Sequence, residues 1–154
     1  MKSILFLIFI IFSLSAEELK IKADTFSADE KKGISIFSGN VAITKSSDNL
    51  SASKVVVHVD KKNQPTKFVA KGNVVFSIKT QEGALYKGKA GKVKYFPEKK
   101  EYHFYKNVTL EQVNEKKKIM GDEVVLKTIE GKAYAKGAKS EPVIMIFEIP
   151  EKEE

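Results

Sequence analysis

The sequence predicts an all-β domain, a twisted and partly open antiparallel β-jelly-roll built from repeated strand units. Three observations carry that expectation. Apolar residues alternate with polar ones at period two through most of the chain, turn residues interrupt the alternation at short intervals, and a Gly-Asn-Val segment recurs. No window offers an apolar stripe at the spacing of a helix.

Taken in order, the alternation sets Val55, Val57 and Val59 against Lys54, Val56 and His58. It sets Val74, Phe76 and Ile78 against Val75, Ser77 and Lys79. Val93 and Tyr95 alternate with Lys92 and Lys94, and Val108 and Leu110 with Thr109 and Glu111. Successive side chains of a strand point to opposite faces, so each set marks a half-buried strand. Turns are expected at Asp29–Gly33, Ser46–Asn49, Asp60–Pro65, Glu82-Gly83, Pro97–Lys100, Asn114–Lys118 and Glu130-Gly131.

The repeat aligns Phe37-Ser38-Gly39-Asn40-Val41-Ala42-Ile43 with Ala70-Lys71-Gly72-Asn73-Val74-Val75-Phe76 and, more loosely, with Phe104-Tyr105-Lys106-Asn107-Val108-Thr109-Leu110. Upstream of each copy a small residue precedes an apolar one by three: Ala23 and Phe26, Ala52 and Val55, Ala90 and Val93. A partial fourth copy runs from Gly121 and Val124 to Ala135-Lys136-Gly137. One unit cannot bury its apolar face alone, so the units must stack. Gly39 and Gly72 supply a positive φ either for a bulge that bends a long strand or for a tight hairpin turn. Lys106 at the glycine position of the third copy favours the bend. Shared parity within the units assigns Phe37, Val41, Ile43, Val57, Phe68, Val74, Phe76, Tyr95, Phe104, Val108 and Leu110 to one inward face.

Composition bounds the function. The 154 residues suffice for one domain, and 42% hydrophobic with 31% charged residues fits a globular chain. Lys2, the apolar run Ile4–Phe12 and the small residues Ser13 to Ala16 read as a secretory signal over residues 1–16, with cleavage after Ser15 or Ala16. A retained membrane anchor is the alternative. Residues 17–147 then form the domain, and 148–154 a charged tail. Without cysteine there is no lipidated Cys, disulfide or thiolate site. All basic residues are Lys, and the net charge is +7. Absence of Arg from an exported chain speaks against a nucleic-acid partner.

No catalytic constellation is found, and neither a cofactor nor a metal is expected. Gly83 to Lys89 spells a phosphate-binding loop, but Ala90 replaces the hydroxyl that would hold magnesium and strand patterning follows. His58 and His103 have no companions at ligand spacing. Adjacent acid pairs such as Asp122-Glu123 would point to opposite faces of a strand. The densest basic stretch, Lys87 to Lys100, reads either as a solvated face or as a rim for phosphates, with Lys92 and Lys94 as its head-group candidates.

Ala23-Asp24-Thr25-Phe26, Ile36 to Val41 and Ala52 to Val57 resemble the OstA-like family of lipopolysaccharide transport, and the resemblance runs from about Glu18 to Lys139. It implies a roll of about sixteen antiparallel strands that carries lipopolysaccharide through the periplasm. Acyl chains would lie between the sheets against the inward series. A cleaved signal and one small domain are similar to the family's soluble bridge member. That member joins itself head to tail, from an LptC-like inner-membrane protein to an LptD-like outer-membrane protein. The departures from the family pattern are Lys106 for Gly and the degenerate fourth copy. Two other readings stay open: a self-assembling structural repeat protein of the envelope, and an LptC-like anchored component.

Overall fold

The structure is a computed structural model and describes residues 18–151. The expected signal over 1–16 and the last three residues of the tail lie outside the described residues. Ten strands form one antiparallel sheet: β1 (Leu19–Lys22), β2 (Thr25–Asp29), β3 (Ile34–Lys45), β4 (Asp48–Val59), β5 (Pro65–Lys79), β6 (Leu85–Phe96), β7 (Glu101–Gln112), β8 (Lys117–Lys127), β9 (Lys132–Lys136) and β10 (Ile144–Phe147). No helix occurs among the described residues. The connections β3 to β8 are sequential hairpins, at the turns the sequence marks.

The Gly-Asn repeats bend this sheet in half. In β3, β5 and β7 two residues, Gly39-Asn40, Gly72-Asn73 and Lys106-Asn107, oppose one residue of a neighbouring strand: Ser53, Gly91 and Asp122. That is a β-bulge, which adds a kink and local twist. All six bulge residues have positive φ, from 44° at Asn40 to 84° at Gly72. A Cβ on Gly72 would come within 2.7 Å of the Ser53 side chain, which leaves no room for one. In the third copy the roles exchange: Lys106 carries the Cβ, and Gly91 opposite it supplies the space. The bend thus survives the loss of its glycine. The hairpin alternative fails, because the strands run on through the segment.

The bends also explain the strand count. A bulge turns a strand without ending its ladder, so ten strands replace the sixteen expected. The register shift at the bends divides β3 to β8 into two straight arms each, and sixteen arms result. β1 and β2 pair with the two arms of β3, and β10 and β9 with the two arms of β8. One layer therefore holds Ile34–Ser38, Lys92–Phe96 and the arms in register with them. The other holds Val41–Lys45, Val74–Lys79 and their partners.

The layers face each other over a shared core. Val55, Val74, Phe104, Val124 and Leu126 are fully buried in it. Close to the bend the layers converge, and the sequence answers with small residues. The valine of each repeat lies opposite one: Val41 against Ala52, Val74 against Ala90, Val108 against Gly121. The small residue upstream of the second and third copies, and Gly121 of the partial fourth, is thus the cross-strand partner of the valine in the copy before it.

Candidate functional site: the interior between the layers

All eleven inward candidates, Phe37, Val41, Ile43, Val57, Phe68, Val74, Phe76, Tyr95, Phe104, Val108 and Leu110, lie in or against the core cluster. The bulges make this possible. An extra residue keeps β5 and β7 in step across the bend, so Phe68, Val74 and Phe76 share a parity, as do Phe104 and Val108. The facing strands β4 and β6 change parity instead, from Ala52 to Val55 and from Ala90 to Val93. Sequence reasoning left Val55, Ile78, Val93, Tyr102, Val124 and Leu126 out of the inward series. Period two could have found Val55 beside Val57, Ile78 beside Phe76 and Tyr102 beside Phe104.

Phe76 and Phe104 meet across the layers, ring centroids 4.3 Å apart. Toward the free ends of the arms an apolar cavity opens, lined by Leu19, Ile43, Leu50, Phe68, Ile78 and Tyr95 among others. Its volume is about 50 Å³, room for one or two waters at about 30 Å³ each. The remainder of the interior is filled by buried side chains.

Two hydrogen bonds clasp the layers where they would part. The Tyr102 hydroxyl donates to Asp48 Oδ2 at 3.2 Å, and Lys45 Nζ donates to the Tyr95 hydroxyl at 3.3 Å. The Asp48 carboxylate is held from the other side by the Lys79 backbone N–H at 2.9 Å. Burial, then the neighbouring Asp48 charge, push the Tyr102 hydroxyl far above the usual phenol range, so it remains a donor. Tyr95 and Tyr102 stack at 4.4 Å between the two bonds.

Lys92 and Lys94 do not face this interior. They alternate with Val93 and Tyr95 and stand on the outside of β6, with both ammonium groups over the Tyr105 ring at 5.9 and 5.5 Å. The phosphate-binding-loop look-alike is resolved as strand: Leu85 onward forms β6, and no helix follows. Among the described residues no three His, Asp or Glu side chains group as a metal site.

The two ends of the sheet are open. At one, β1 and β2 present Leu19 and Phe26, 40% and 61% exposed. At the other, β10 pairs with β8 through one edge only, and Ile144, Met145, Ile146 and Phe147 are all exposed. The roll thus has an apolar interior and, among the described residues, terminal strands paired along one edge only.

Comparison with known proteins gives the same picture. No curated protein matches the chain. Nineteen chains of solved structures do. Among them is LptH of Pseudomonas aeruginosa, described as the LptA homologous periplasmic component of the conserved lipopolysaccharide transport device. It superposes with a TM-score of 0.76 at 18% identity, over 86% of this chain and 96% of its own. At that identity the likeness establishes the fold. Residues 20–132 match the family model described as LptA/(LptD N-terminal domain) LPS transport protein, which covers well over half of the sequence. The chain belongs to the LptA/LptD N-terminal-domain family of lipopolysaccharide transport proteins.

Proposed function

We propose that this protein binds the acyl chains of lipopolysaccharide between its two layers and serves, without catalysis, as a periplasmic bridge between the inner and outer membranes. The carrying observation is the clasped apolar interior: a continuous inward face that opens only if the Tyr102–Asp48 and Lys45–Tyr95 bonds release. Burial of an acyl chain contributes about 0.8 kcal/mol per methylene, on the order of 10 kcal/mol for a dozen carbons. That is ample to offset two hydrogen bonds at about 1 kcal/mol each. The inward series from Phe37 to Leu110 sets affinity. Lys92 and Lys94, on the outside, act on the encounter rate. A photo-crosslinking residue at Ile43 or Phe76 should capture lipopolysaccharide, and one at Ser77 or Lys79 should not. Mass spectrometry of the adducts decides, and equal labelling of both faces would refute the interior site.

The partners follow from the edges. The β10 edge of one copy adds to the β1 edge of the next by strand augmentation. Such a head-to-tail contact does not close and gives open filaments. The terminal edges are then the places where LptC-like and LptD-like proteins join. Deleting residues 143–154 should leave a folded chain that stays monomeric in light scattering across concentrations at which the full chain grows. A full chain that is monomeric throughout removes this assembly mode.

A further inference from the structure

The outer face of the bend carries a second feature, independent of the interior. Lys54, Lys71 and Lys92 lie directly opposite one another on β4, β5 and β6, in one row across the sheet. The row beneath, on the inner face, is Val55, Ala70 and Val93, so the lysines all point outward. Lys67 and Lys94 flank the row along the strands, and Lys106 stands at its end in the third bulge. Like charges set opposite each other destabilise a sheet. None of these six lysines makes an ion pair among the described residues. Desolvation, then the fields of Lys94, Lys71, Lys106 and Lys67, hold the Lys92 pKa below its ordinary value. The charge is concentrated at this end of the row, and its acid, Glu123, stands two strands beyond Lys92 on the far side of Tyr105.

The same face is not purely polar. Ile36, Val56 and Val69 form an outward apolar row next to the lysines. Val69 is only 7% exposed yet stands apart from the interior cluster, between Lys67 and Lys71 on its own strand and opposite Lys94 and Val56 on its neighbours. Across the bend Val75 is 54% exposed, opposite Lys89. Between the second and third bulges the surface dips into a hollow lined by Asn73, Val75, Lys89, Gly91, Lys106 and Asn107. A soluble polyanion would use the lysines alone. Lysines with an apolar row among them and an exposed valine suit the interface of a bilayer, where stems and methyl groups sit below the phosphates.

We propose that the outer lysine face at the bend, centred on Lys54, Lys71 and Lys92, docks this protein on an anionic phospholipid bilayer. The test is vesicle sedimentation with protein purified after export, at low salt, using phosphatidylcholine vesicles with and without 30 mol% phosphatidylglycerol. The protein should pellet with the anionic vesicles and not with the neutral ones. Neutralising three lysines in K54Q/K71Q/K92Q should weaken binding on the order of a hundredfold, at about fivefold each. The equally charged control K31Q/K61Q/K62Q, altered in the turns, should bind within a few fold of the parent. The triple variant loses like-charge repulsion and should melt no lower than the parent, so a loss is not a folding defect. Absence of sedimentation with anionic vesicles, equal losses in both triple variants, or binding to soluble polyphosphate in place of vesicles would overturn the proposal. Crosslinking of lipopolysaccharide from Phe76 should persist in K54Q/K71Q, which spares the head-group candidate Lys92 and still loses vesicle binding by about fivefold per lysine, so this proposal and the interior site fail separately.

Discussion

Phe104→Ala should lower the stability of this protein by about 3–5 kcal/mol, the usual cost of emptying a buried aromatic site. Phe104 is 0% exposed, and its ring touches both layers: Phe76 from the opposite layer and Tyr102 at 6.0 Å from its own strand. The void would fall where the layers meet, and the bends on one side prevent them from closing onto it. Ile43 provides the contrast. It is only partly buried and lines the cavity near the free ends, so Ile43→Ala should cost less than about 2 kcal/mol. Urea unfolding with an unchanged slope measures both. The difference separates inward residues that pack the closed roll from those placed to meet a lipid. Similar losses at the two sites would show that the cavity wall is as tightly packed as the centre.

How far the sequence could be read depended on the range of the signal. Alternation within a strand is local, and it placed Val74, Phe76, Val108 and Leu110 inside correctly. The bulge is local too: Gly39 and Gly72 marked it, and Asn107 held it where glycine was missing. The parity change in β4 and β6 is not local. It exists because the partner strand has one more residue, so Ala52 could be set on the same face as Val55, and Ala90 on that of Val93, only once the register was known. The clasp joins Asp48 to Tyr102, 54 residues apart, and no pattern in either strand links them. The lysine face shows the same limit. Lys87 to Lys100 stood out as a linear cluster, but Lys54, Lys67 and Lys71 join Lys92 only through strand pairing. A linear cluster therefore understated the size of the charged face and could not say which way it pointed.

Gly88→Ala should unfold or severely destabilise the protein, by at least about 3 kcal/mol. Propensity argues for the opposite sign, since alanine in a strand is worth roughly 0.5–1 kcal/mol more than glycine. Geometry outweighs it. Gly88 lies in β6 between Phe76 and Leu110, on the row where the inner face is most crowded. An added Cβ would collide with the Thr109 carbonyl oxygen of β7 and approach Phe76 Cζ to 2.8 Å. Substitution can trim the ring, but the carbonyl belongs to the ladder between β6 and β7 and cannot move without breaking it. Phe76→Leu in the Gly88→Ala background should therefore restore at most about 1 kcal/mol, the part due to the ring. Thermal melts of the parent, the two single variants and the double variant close the cycle. Full rescue by Phe76→Leu would assign the clash to the ring alone, and an alanine variant as stable as the parent would mean that β6 and β7 can separate at Gly88 without loss.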